Sequence, residues 1–170
     1  WTDKEYSLLY LNEYEIAQLG IGRKFQKPTV FEKKTVLQNL IISQKKNRSP
    51  FNVIFQNFNK DDEKKLINIL NDINLKESQF KLAGELSHGQ KQWLEIGMLL
   101  TQEPKLLLVD EPAAGMTVEE RKQTVIILKK LSLNKSIIVV EHDMEFIKDL
   151  KCQVTVLNEG SILSEGSLKD

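Results

Sequence analysis

Two adjacent acids, Asp110 and Glu111, close the run Lys105-Leu106-Leu107-Leu108-Val109. Their types suit phosphate-ester chemistry: a hard carboxylate holds Mg²⁺ through oxygen, and a second one orients or deprotonates an attacking water. Asp110 is assigned to the metal and Glu111 to the water. Upstream, Leu86-Ser87-His88-Gly89-Gln90 opens a helix that continues to about Leu100. Ser87 is a good N-cap, and Gly89 lets a backbone N–H approach a ligand at the positive end of the helix, which makes a phosphate site. A plain helix start needs the serine but not the glycine.

These groups must be positioned by the elements around them. The aliphatic run has no period-two alternation, so it predicts a strand buried on both faces of a parallel sheet. Its acids then lie at the carboxyl edge, where open α/β sheets bind ligands. Pro112-Ala113-Ala114-Gly115-Met116 reads as a turn, and Thr117 with Glu120 has capping-box spacing before a helix to about Leu131. Ser136 to Val140 is a second apolar, β-branched strand. Strand, helix and strand make a parallel βαβ unit, which brings Glu141-His142-Asp143 to the same edge as Asp110 and Glu111. His142 is thereby placed near a γ-phosphate.

Toward the N-terminus, Leu8-Leu9-Tyr10-Leu11 predicts a short strand. Asn12 with Glu15 predicts a capped helix through Leu19, stopped by Gly20. Ile21 to Gln26 follows as a strand, and Lys27-Pro28-Thr29-Val30-Phe31 as a loop, since Pro28 cannot donate to a ladder. Thr35 caps a helix from Val36 to about Gln44, and Lys45-Lys46-Asn47-Arg48-Ser49-Pro50 is a polar loop. Phe51, Phe55 and Phe58, then Leu66, Ile67, Leu70 and Ile73, recur at helical spacing and predict a small helical subdomain with its stripes packed together. The charge cluster from Lys60 to Lys65 faces water. Val154 to Leu157, Asn158-Glu159-Gly160 and Ser161 to Ser164 predict a closing hairpin that helps cover the sheet.

The chain has 170 residues, is 41% hydrophobic and balances 24 basic against 24 acidic side chains. That is enough for one domain with a real core, and no global field draws it to nucleic acid. No stretch reads as a membrane span. The single cysteine, Cys152, has no internal partner and fits a reducing compartment. The N-terminus Trp1-Thr2-Asp3-Lys4-Glu5 has no secretory character and no initiator Met, so a fragment or processed product is expected. Gly20-Ile21-Gly22-Arg23-Lys24 lacks the spacing of a phosphate-binding loop, and G-x-x-x-x-G-K-[ST] occurs nowhere in the chain.

Leu86 to Gln90 followed by Leu106 to Glu111 resembles the signature and Walker B motifs of an ABC-transporter ATPase. The resemblance extends from about Asn12 onward, in the family order of Q-loop, signature, Walker B, D-loop and switch histidine. Gly20 to Phe31 resembles the Q-loop with Gln26 at the strand end, and His142 resembles the switch histidine. Where many relatives carry a D-loop Asp, this chain has Gly115-Met116-Thr117. Within the family, the Q-loop segment, the helix Gln90-Lys91-Gln92-Trp93-Leu94-Glu95-Ile96-Gly97-Met98 and Val139-Val140-Glu141-His142-Asp143-Met144 look most like the branched-chain amino-acid and urea importers. Trp93 favours the urea type.

The resemblance implies an α/β, P-loop NTPase-like cassette with a mostly parallel sheet, lacking the N-terminal part with Walker A. Residues about 35–100 would be the helical subdomain and about 101–170 the C-terminal part of the RecA-like core. The intact protein would be an ATPase powering an importer from the cytoplasmic face of the plasma membrane, while this fragment alone would be inactive. It would pair head-to-tail with a second ATPase subunit, homo- or heterodimeric, and bind transmembrane permease subunits. ATP and Mg²⁺ are the implied cofactors. Asp110 and Gln26 would meet the metal, Ser87, Gly89, Gln90 and Gln26 the nucleotide, and Glu111 and His142 would act in hydrolysis. Two alternatives are a non-catalytic truncated cassette that pairs with an intact partner, and a soluble cassette of DNA repair or translation. Long coiled-coil or basic insertions, usual in the latter, are absent from the sequence.

Overall fold

A computed structural model describes residues 7–24, 29–44 and 60–168 of the chain. In order, the elements are α1 (Glu13–Gln18), β1 (Ile21–Lys24), α2 (Val36–Ile42), α3 (Lys60–Asp72), α4 (His88–Leu100), β2 (Leu106–Asp110), α5 (Val118–Ser132), β3 (Ser136–Val140), α6 (Met144–Leu150), β4 (Gln153–Asn158) and β5 (Ser161–Ser167). Helices α1, α2, α4 and α5 begin on reciprocal capping boxes, Asn12 with Glu15, Thr35 with Gln38, Ser87 with Gln90 and Thr117 with Glu120. Each box satisfies two backbone N–H groups that a helix start leaves without partners. Gly20 follows α1 at φ +88°, where a side chain would be strained, and turns the chain into β1.

β1, β2 and β3 form one parallel sheet in that order, with Leu107 opposite Gly22 on one side and Ile137 on the other. The register sorts the side chains by face. Gly22, Lys24, Leu107, Val109, Ile137 and Val139 share the face that the helices cover, and Leu107 is fully buried there. Leu106, Leu108, Ile138 and Val140 share the other, where Ile138 is 53% and Val140 60% exposed. The expectation of strands buried on both faces is therefore corrected. Among the described residues, no element lies over the second face, and an unbroken aliphatic run records only what a strand can bury.

The core joins helices to sheet. Val36 and Leu40 of α2, Leu66 and Leu70 of α3, Ile73 just beyond it, and Leu94 and Ile96 of α4 are buried together. Gly97 lets the helices close up, because a Cβ there would stand 2.5 Å from Ile73 Cδ1 and 3.0 Å from Leu40 Cδ2.

Three further expectations change. Leu8–Tyr10 is a 3-10 turn with exposed side chains rather than a strand. Ile67 points outward, and Ile69 packs against the core in its place. β4 and β5 do form a hairpin, but they pair only with each other, the turn residues are Glu159 and Gly160 at positive φ, and nearly every side chain is exposed. It does not cover the parallel sheet. Gln26, Lys27-Pro28, the polar loop at 45–50 and the Phe51, Phe55 and Phe58 stripe lie outside the described residues. No described helix is long and apolar enough to cross a membrane.

Candidate functional site

The two predicted strand ends meet. Asp110 pairs with Val140 in the parallel ladder, and the Glu111 N–H donates to the Val140 carbonyl at 2.9 Å, which carries the register one residue further. Glu111 then leaves the strand at φ +44°, a left-handed conformation unusual for a glutamate and common where a side chain must be held for function. The bend brings its Oε1 to 3.7 Å from His142 Nδ1. His142 is 79% exposed at its side chain and Glu111 30%, so both are accessible to solvent. Asp110 alternates onto the sheet face opposite Val109 and is half-buried.

Glu141 fixes this edge, a role that sequence reasoning did not assign. Its carboxylate is 3% exposed and accepts from the backbone N–H of Ala113 at 2.8 Å, of His142 at 2.9 Å and of Asp143 at 3.3 Å. One side chain thus clasps the loop after β2 to the loop after β3. Asp143 caps α6 through the Glu145 and Phe146 N–H groups and pairs with Arg121 of α5 at 2.6 Å. The Phe146 N–H and then the Arg121 guanidinium hold its carboxyl below the ordinary aspartate value.

Among the described residues no cluster of three or more His, Cys, Asp or Glu could enclose a metal by itself. A single strand-end carboxylate still suits Mg²⁺, which keeps waters and phosphate oxygens in its shell and takes one or two protein carboxylates. Asp110 has the hard donor for that, and its neighbour Glu111 can address a water. Gln26, also assigned to the metal and the nucleotide, lies outside the described residues.

The other predicted site residues gather at the start of α4. Ser87 caps the helix through the Gln90 N–H, and the Gln90 side chain returns the bond by accepting from the Ser87 N–H at 3.2 Å. Gln90 is therefore committed to the cap. Ser87 Oγ also donates to Glu120 at 2.5 Å. No hydrogen bond or ion pair joins Ser87, Gly89 or Gln90 to Asp110, Glu111 or His142 among the described residues. Deeper in the helix, Gln92 Nε2 reaches the Ala114 carbonyl at 3.3 Å, and the Trp93 indole N–H donates to Thr124 Oγ1 at 2.8 Å. Both contacts lock α4 to the chain that leaves β2.

A buried polar group under the sheet edge was also missed. Lys24 is fully buried; desolvation lowers its pKa, against the nearby charges of Glu95, Asp110 and Glu141. Burial raises the pKa of Glu95, opposed by hydrogen bonds from Thr29 and by Lys24. Thr29 Oγ1 donates to Glu95 Oε1 at 2.9 Å. The sequence did hold a signal: Glu95 interrupts the apolar face of Trp93-Leu94-Glu95-Ile96, where a charge needs a partner.

With that geometry in place, comparison with known proteins decides the family. The sequence profile described as ABC transporter matches residues 2–114, well over half of the chain. The chain belongs to the ABC transporter family. Its ATP-binding-cassette fold is that of solved ABC structures: MJ1267, an ATP-binding cassette of an ABC transporter in its ADP conformation, aligns with TM-score 0.72 and 29% identity. That alignment covers 90% of this chain and 63% of MJ1267. Among curated ABC relatives, the high-affinity branched-chain amino acid transport ATP-binding protein BraF of Pseudomonas aeruginosa is 29% identical over 166 residues, covering 91% of this chain and 64% of BraF. The phosphonates import ATP-binding protein PhnC of Lactococcus lactis subsp. cremoris is 26% identical over 170 residues, covering 93% of this chain and 69% of PhnC. The chain thus spans under two thirds of the length of BraF and of MJ1267.

Proposed function

We propose that this chain is part of the ATP-hydrolysing subunit of an ABC importer and supplies its metal- and water-directing groups. The observation that carries the reading is the convergence of Asp110, Glu111 and His142 on one sheet edge, with His142 Nδ1 3.7 Å from Glu111 Oε1. Mg²⁺, when bound with ATP, offsets phosphate charge, and Asp110 is the residue that would hold it. Glu111 orients the attacking water and takes its proton. His142 addresses the γ-phosphate and steadies the Glu111 carboxylate, and Gln26 joins them by its place in the motif order. Ser87 and Gly89 offer a hydroxyl and a helix-end N–H to the γ-phosphate held by a second cassette, in a head-to-tail dimer. The phosphate-cradling loop is supplied by residues other than these 170.

Permease subunits on the cytoplasmic face of the membrane complete the assembly in this reading. Branched-chain amino acids are the favoured cargo class, in line with BraF. The urea reading rested on Trp93, whose ring is buried and whose N–H is spent on Thr124, so that residue speaks to packing rather than to cargo.

The experiment compares Asp110→Asn and His142→Ala in the complete subunit. Asp110→Asn removes a hard anionic metal ligand and should weaken Mg·ATP binding together with turnover. His142→Ala should leave Mg·ATP affinity near wild type while turnover falls. Equal losses of affinity in both variants, or in neither, would overturn the division of roles.

A further inference from the structure

The hydroxyl that the proposed function offers to a γ-phosphate is already engaged inside this chain. Ser87 Oγ accepts from the Gln90 N–H, so its one proton is free to be given once, and it goes to Glu120 Oε1 at 2.5 Å. Gly89 lies directly against the same carboxylate. The second oxygen, Glu120 Oε2, accepts from Thr117 N–H at 3.0 Å and Thr117 Oγ1 at 3.2 Å. The glycine is what admits the carboxylate: a Cβ at position 89 would stand 2.6 Å from Glu120 Cδ and 2.7 Å from Oε1. Glu120 is thus held at both oxygens, one against the positive end of α4 and one on the cap of α5.

A phosphate oxygen and Glu120 Oε1 need the same Ser87 proton and the same space beside Gly89, and both are anionic, so they cannot be there together. We propose that Glu120 is a specificity-determining residue: its carboxylate occupies the signature site in place of a terminal phosphate, and a nucleotide must present a γ-phosphate to displace it. This inference rests on the ATPase reading and deepens it. A terminal phosphate brings more charge and more acceptor oxygens than a carboxylate, so it wins the donors of a helix end. ADP has no phosphate at that position and leaves Glu120 in place. Displacement does not undo α5, because Thr117 Oγ1 still accepts from the Glu120 N–H at 3.2 Å.

The test substitutes Glu120→Gln, which keeps the size and the acceptor needed by Thr117 but removes the charge. Nucleotide-dependent dimerisation of the complete subunit is followed by light scattering against ATP and against ADP, both with Mg²⁺. The ATP midpoint should fall about three- to tenfold, and dimer formed with ADP should increase, which narrows the preference for ATP. The melting temperature reports the cap of α5 separately and should stay at the wild-type value. Glu120→Ala, which empties the site, should narrow the ATP preference further even where it lowers the melting temperature. If the wild-type subunit dimerises with ATP and Glu120→Gln has the same midpoint and the same ATP-to-ADP ratio, or a higher midpoint, the gating role is overturned while the ATPase reading stands. If folded wild type and variant both fail to respond to ATP, the ATPase reading falls and this inference with it.

Discussion

At the sheet edge, one side chain outside the proposed chemistry holds the geometry. Glu141 gathers three backbone N–H groups from two loops, and those loops carry Glu111 and His142. Glu141→Ala leaves these buried donors without their acceptor, which should cost about 1–3 kcal/mol of stability. Turnover in the complete subunit should fall more than Mg·ATP affinity does, because Asp110 remains on its strand. Thermal melts with paired binding and turnover assays check this; unchanged stability would remove Glu141 from its clasping role. The positions of Asp110 and Glu111 at a strand end and of Ser87 at a helix start were legible in the sequence, because residue type and spacing announce them. Glu141 was not. It follows a strand as any acid can, and its bonds exist only once Glu111 and Ala113 bend back toward it.

At the scale of elements, the helix starts were legible because capping is local: Asn12, Thr35, Ser87 and Thr117 each bond within four residues. Leu8–Tyr10 misled because three large apolar residues fit a strand or a 3-10 turn equally well until a partner strand is sought. The Arg121 to Asp143 pair ties α5 to the start of α6 just after His142, and it makes a pH prediction. Asp143 has a lowered pKa in the folded state, caused first by the Phe146 N–H and then by Arg121. Its contribution is therefore present above the ordinary aspartate value and is lost as pH falls through the lowered one. Asp143→Asn keeps an N-cap acceptor and loses the charge. Wild type should be the more stable at neutral pH, with the difference shrinking as the solution is acidified into that window. A difference independent of pH would mean that neither the Phe146 N–H nor Arg121 favours the charged carboxylate.

For the whole molecule, the parallel direction of β2 and β3 followed from the βαβ rule, but the place of β1 beside β2 and the burial of the sheet did not. Burial on a second face depends on what lies over it, which an aliphatic run cannot report. In the 170-residue chain, Leu107 is fully buried and Val140 is 60% exposed, although both are aliphatic strand residues. Leu107→Ala should cost about 2–5 kcal/mol, and Val140→Thr less than about 0.5 kcal/mol, by denaturant unfolding. Comparable losses would mean that the second face is covered in solution. The hairpin of β4 and β5 leaves Ile138 and Val140 accessible because it is a separate sheet, paired only within itself.

The proposed function turns on Glu111 activating water beside Asp110 on the metal. The direct measurement is single-turnover ATP hydrolysis by Glu111→Gln in the complete subunit, read beside ATP-dependent dimerisation of the same variant. The substitution keeps size and one acceptor and removes the base, so hydrolysis should fall by on the order of 10² to 10⁴ while ATP still binds and closes the dimer. Near-normal hydrolysis in that variant, or loss of dimerisation as complete as in Asp110→Asn, would contradict the assignment.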